Sequence, residues 1–112
     1  MAAYFTRTGG APTGFGPPGA VQSGLVANYQ VQGTDFYIGV NGPGVTVTLP
    51  PSSQIYPGKS FYIKDESGLA GTVNSITLSG GGPTIDKSAT ITLQANFISL
   101  QVLWTGTFWS II

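Results

Sequence analysis

The chain has 112 residues, 41% of them hydrophobic and only 7% charged, with four Lys plus Arg balanced by four Asp plus Glu and neither His nor Cys. That length and apolar content suit one small folded domain, the zero net charge argues against nucleic acid as a partner, and the missing imidazole and thiol exclude disulfides, zinc or iron–sulfur ligation and most familiar nucleophile–base pairs. No basic leader with an apolar core opens the chain and no run of about 18 apolar residues occurs, so neither a signal peptide nor a membrane-spanning segment is expected.

Residues 1–24 read as an extended N-terminal arm. Gly9, Gly10, Gly14, Gly16, Gly19 and Gly24 raise the entropy cost of ordering, and Pro12, Pro17 and Pro18 remove amide donors, so no local ladder or helix is expected. A merely solvating linker has no use for large apolar groups, yet this one carries Tyr4, Phe5, Phe15 and Val21. We therefore expect an arm that orders on another protein surface through Tyr4, Phe5, Phe15, Pro17, Pro18 and Val21; the plainer alternative is a tail with incidental aromatics.

From residue 25 to residue 112 the sequence turns to period-2 alternation. Leu25, Ala27, Tyr29 and Val31 share one face of a first strand, and Phe36 to Val40 forms a second. Asn41-Gly42-Pro43-Gly44 then precedes Val45-Thr46-Val47-Thr48-Leu49, which predicts a hairpin. Further strands follow at Phe61 to Asp65, Asn74 to Ser79, a short Thr84-Ile85-Asp86 piece, Thr90 to Leu93, Ile98 to Trp104 and Phe108 to Ile112, with Pro50-Pro51, Gly80-Gly81-Gly82-Pro83 and Thr105-Gly106-Thr107 among the breaks. About eight short strands without helix predict an all-β domain, a small antiparallel β-sandwich or barrel behind the arm. Thr, rather than Lys, is the favoured outward residue (Thr46, Thr48, Thr77, Thr90, Thr92), which leaves sheet edges poorly guarded and points to a homo-oligomer.

Candidate chemistry is sparse. Gly14-Phe15-Gly16-Pro17-Pro18-Gly19 matches G-x-G-x-x-G, but no strand precedes it, no helix follows, and two prolines delete amides a phosphate would need. Asp35, Asp65, Glu66 and Asp86 are the only carboxylates; two of them about 5–9 Å apart would suit glycoside hydrolysis, but turn and strand-end bonding to nearby amides accounts for all four. Asp65, Glu66 and Ser67 are a candidate calcium site with fewer carboxylates than a tight site uses. A Ser–Lys dyad would need Lys59, Lys64 or Lys87 buried and neutral, and each stands beside polar or turn residues. Trp104, Trp109, Phe108, Tyr29, Phe36, Phe61 and Tyr62 could make a sugar-stacking platform, although aromatics clustered in a small β domain more often form its core. No catalytic residue, metal or cofactor is expected.

One stretch is less anonymous. Tyr29-x-Val31, Thr34-Asp35, Ile38-Gly39-Val40, Val45 to Pro50, the run Gly58-Lys59-x-Phe61-x-Ile63-Lys64-Asp65-Glu66-Ser67-Gly68-x-Ala70, Ile76-Thr77-Leu78, Thr84-Ile85-Asp86 and Gly106-x-x-Trp109 together resemble a small β-module of tailed-phage virion proteins, found in head decoration (cement) proteins and in head or tail fibres. This chain has Lys87 where similar modules often carry Gly after the Ile-Asp pair. The resemblance implies a structural role and no enzyme activity. A fibre needs a long shaft, whereas this chain offers an arm and one module, so the expectation is a capsid decoration protein on the outer surface of the virion. Its partners would be the major capsid protein, gripped by the arm, and further copies of itself, a trimer before a dimer. The alternative is a tail or fibre tip protein that binds a host receptor or carbohydrate.

Overall fold

The computed structural model describes residues 20–112, and Tyr4, Phe5, Phe15, Pro17 and Pro18 lie outside the described residues. Nine strands and one 3₁₀ turn, Ser52–Gln54, make an all-β domain of two facing sheets. One sheet holds β1 (Ala20–Leu25), β3 (Asp35–Val40), β5 (Ser60–Asp65), β8 (Ser99–Trp104) and β9 (Trp109–Ile111) in that order; the other holds β2 (Tyr29–Gln30), β4 (Thr46–Thr48), β6 (Ile76–Ser79) and β7 (Thr90–Leu93).

The order reveals a coil. The chain crosses from one sheet to the other at each of its first five connections, so that β1, β3 and β5 lie parallel in one sheet while β2, β4 and β6 lie parallel in the other. The corners stack as well as the strands. Asn41 N donates to Leu25 O (2.7 Å), Glu66 N to Val40 O (2.8 Å), Val31 N to Thr48 O (2.9 Å) and Leu49 N to Ser79 O (2.9 Å), each bond linking one turn of the coil to the next. After β6 the winding stops. β7 returns antiparallel to β6, β8 antiparallel to β5 and β9 antiparallel to β8, so the coil ends in antiparallel pairing.

The sheets are therefore mixed rather than antiparallel, and neither closes into a barrel. The expected hairpin between Phe36 and Leu49 does not form: β3 and β4 belong to different sheets. Alternation shows which side chains face the core but not which strand lies alongside. Here Asn28 Oδ1 accepts from Thr46 N (2.8 Å), and a Cβ on Gly42 would stand 3.0 Å from Val26 Cα, so the Asn41–Gly44 corner is seated on the corner before it. Two further boundaries move. The single strand expected from Leu25 is split, with Leu25 ending β1 and Tyr29–Gln30 forming β2. Residues 20–24, read as part of the arm, are strand, because their partner is β3 rather than any local neighbour.

Alternation along β5 is complete, with Phe61, Ile63 and Asp65 buried and Ser60, Tyr62 and Lys64 partly open. The core between the sheets joins Ile38, Val40, Phe61, Ile63, Val102 and Trp109 of one sheet to Val47, Ile76, Leu78 and Leu93 of the other. Trp109, the largest fully buried side chain, sits 5.1 Å from the Trp104 ring and 5.9 Å from that of Phe61. Burial of such side chains, at roughly 1.5–3 kcal/mol each, is the principal force holding the sheets together.

Candidate functional site

Parallel winding gives the domain two distinct ends. The corners that follow β1, β3 and β5, together with the connection before β8, gather at one end, where Val26, Leu69, Val73 and Phe97 are exposed. The chain enters the domain at the opposite end, at Ala20, whose amide donates to Thr34 O (3.0 Å). That entry end also carries the corner before β5 and the turns after β6 and β8, with Tyr56 and Phe108 exposed.

The first described strand is held mainly by polar groups. β1 buries no large apolar side chain completely: Val21 is 63% exposed, and only Leu25 packs on the core. Two carboxylates supply the missing attachment. Asp35, buried at the start of β3, accepts from Gln22 Nε2 (3.2 Å), from the Tyr29 hydroxyl (2.6 Å) and from Gln32 N (2.8 Å), tying β1, β2 and β3 together. Glu66, just past β5, reaches across β3. Its Oε1 accepts from Gly24 N (2.7 Å), and its Oε2 accepts from Ser23 Oγ (2.7 Å) and the Tyr37 hydroxyl (2.8 Å). The crossing is possible because position 39 is glycine. A Cβ there would collide with the Glu66 carboxylate.

The titration behaviour follows from this geometry. Burial alone would raise the Glu66 pKa, but the Gly24, Ser23 and Tyr37 donors outweigh it and hold the carboxyl below its usual range. Tyr37 is pushed up to about 12 by burial and by donating to Glu66, and Tyr29 likewise to about 12 by burial and by donating to Asp35.

Asp65 acts at the far end. Fully buried, it accepts from Ser67 Oγ (2.6 Å), Ser67 N (3.0 Å), Ala70 N (3.0 Å) and Phe97 N (2.9 Å), so a single side chain shapes the corner after β5 and pins the connection into β8. Burial pushes its pKa up, and the four donors more than reverse that. Phe97 is thereby fixed at φ 59°, with its ring over Gly68 and its carbonyl accepting from Lys64 Nζ (2.6 Å). The candidate calcium ligands do not converge, since Asp65 turns inward to backbone donors and Glu66 turns toward β1. Among the described residues no three such side chains gather as a metal site.

The aromatic platform disperses in the same way. Trp104, Trp109 and Phe61 are core, whereas Phe36 meets Tyr62 edge-on at 5.1 Å on the outside of the sheet and Phe108 stands alone at the entry end. Of the six arm residues, the described structure places only Val21, on the edge strand β1. The Glu66–Gly39 contact has no sequence signal, because a local turn explains Glu66 equally well until β1 is known to lie beside β3. No protein-family model matches the chain, and no curated protein matches its sequence.

Proposed function

We propose that this protein is a structural virion component, a capsid decoration (cement) protein that grips the major capsid protein lattice through its N-terminal arm and stabilises the shell. The observation that carries the reading is the way the first described strand is held. β1, which residues 1–19 precede in the sequence, is an edge strand fastened by Asp35 and Glu66, so a pull on its N-terminal end is passed into the β3 and β5 ladders. The first turn of the coil also supports it. Among the described residues nothing pairs with the outer edges of β1 and β2; at the other end of the coil β7 is likewise an edge strand, while the outer side of β9 is met by Thr84 and Asp86. An open parallel edge is a template for a further strand, from a capsid subunit or from another copy of the chain.

The near absence of charge fits a contact made of backbone bonds and apolar side chains, which salt hardly weakens. On this reading the entry end faces the shell and the end bearing Leu69, Val73 and Phe97 faces outward; copies meet side by side, as a trimer before a dimer. All the work is done by binding, and no residue serves as a catalyst. Stoichiometry on purified particles tests the proposal. Hundreds of copies per particle, lost when residues 2–19 are deleted and not when salt is raised, are expected; a few copies confined to the tail would overturn it in favour of a tail or fibre tip.

A further inference from the structure

The turn after β6 holds an unusual pair of residues. Ile85 N donates to Ser88 O (2.7 Å) and Ser88 N to Ile85 O (2.8 Å), which makes Asp86 and Lys87 the two central residues of a tight turn. Both have positive φ, 46° and 73°, the type I′ arrangement, in which the second position ordinarily falls to glycine because a Cβ is crowded there. Lysine occupies it instead. Strain kept at an exposed position where glycine would relieve it is a mark of use, and the strained pair borders a cleft of about 330 Å³ lined by Thr84, Asp86, Lys87 and Phe108.

The lining comes from two turns, the one between β6 and β7 and the one before β9. Asp86 Oδ1 accepts from Ile111 N (3.2 Å), which fixes the carboxylate against β9, and among the described residues its second oxygen has no partner. Phe108, 45% exposed, is held by the Thr105 hydroxyl, which accepts from Phe108 N (3.1 Å) and donates to Phe108 O (2.9 Å). The next residue, Trp109, turns into the core, so the aromatic wall of the cleft is separate from the aromatic packing inside.

We propose that this cleft binds one neutral pyranose ring. An anion in it would meet the Asp86 carboxylate and a cation the Lys87 ammonium, whereas a vicinal diol can donate to the first while accepting from the second. A sugar ring also has an apolar C–H face to lay on Phe108 and a polar rim within reach of Thr84, and the cleft lies at the small end of the size range of ligand sites. The cleft lies at the entry end, which the proposed function turns toward the shell, so the test uses the free full chain and its failure is distinct from a failure of capsid attachment.

The experiment is amide-resolved NMR titration of the full chain with the methyl glycosides of glucose, galactose and mannose, up to about 50 mM, above the millimolar range expected for one ring held by few contacts. Saturable shifts confined to residues 84–88 and 105–111 are expected with at least one of the three. Phe108→Ala and Asp86→Asn should each weaken binding at least about tenfold, the Asn keeping the left-handed backbone and the bond from Ile111 N. Lys87→Gly should also weaken binding while leaving the remaining amide spectrum folded, which separates loss of the ligand contact from loss of the domain. No saturable shift with any of the three sugars, binding unaffected by Phe108→Ala, or binding of N-acetylneuraminic acid in place of all the neutral sugars would each overturn the proposal.

Discussion

Replacing Glu66 by Ala removes the three bonds that hold Ser23, Gly24 and Tyr37 to one carboxylate. Each bond to an ionised acceptor is worth about 1.5–3 kcal/mol when sheltered, and these are partly open to water, so together they stabilise the attachment of β1 by about 2 kcal/mol. Opening of β1 should therefore become roughly thirtyfold more frequent in Glu66→Ala. Glu66→Gln should be milder, at about 1 kcal/mol, because its carbonyl can still accept from Gly24 N while the Ser23 and Tyr37 hydroxyls rotate to accept from its NH2. Gly39→Ala provides an independent route to the same effect. The added methyl would strike the Glu66 carboxylate, which can swing aside, and Gly39 lacks the positive φ that would strain an alanine. Gly39→Ala should thus open β1 about as much as Glu66→Ala, and the double variant should cost about 2 kcal/mol rather than about 4, the signature of two changes acting through one contact. Native-state hydrogen exchange at residues 20–25, with thermolysin cleavage near Leu25 as a second readout, measures the opening. Additive effects in the double variant, or unchanged exchange at Gly24 in Glu66→Ala, would refute the clasp.

Asp65→Asn keeps the shape of a fully buried carboxylate but turns an NH2 toward backbone donors, so a loss of about 3–5 kcal/mol is expected in urea unfolding, with Ser67, Ala70 and Phe97 the first amides to lose exchange protection. The folded pKa values of Asp65 and Glu66 are lowered, so their contribution is complete above the unfolded carboxylate values of about 4 and is lost as pH falls through the folded ones. The gap between wild type and Asp65→Asn should therefore narrow below about pH 4 in a series of melts. Tyr29 and Tyr37, pushed up to about 12, contribute in the opposite sense: stability present below the unfolded tyrosine value of about 10 should decline as pH rises from there toward about 12, visible in alkaline melts. Lys87→Gly relieves a lysine at φ 73° and should raise stability by about 1 kcal/mol, or several degrees in thermal midpoint; a lower midpoint would contradict the turn geometry.

The positions of the strands were legible because alternation and punctuation are local. Thr90–Leu93 lies where the pattern places it, and Phe61, Ile63 and Val102 face inward as their spacing requires. The bonding of Asp65 to the amides of Ser67 and Ala70 was likewise legible as turn chemistry, whereas its reach to Phe97 was not. The coil leaves no mark in the sequence because it has no period. In one sheet Ile38 stands beside Ile63, twenty-five positions on, while Gln22 stands beside Ile38, sixteen on; in the other, Tyr29 pairs with Val47 and Val47 with Leu78. Corners of such different length erase the self-similarity by which a solenoid is usually read.

By itself, then, the sequence determined an all-β chain of short strands with most of their inward faces and breaks, since each of these depends on neighbours within a few residues. Tertiary structure alone decided that the strands wind in parallel, that residues 20–24 belong to the sheet, and that Glu66 crosses Gly39 to fasten them. Strand partnership and contacts across sheets depend on which distant segments meet, and no interval of this chain records that choice.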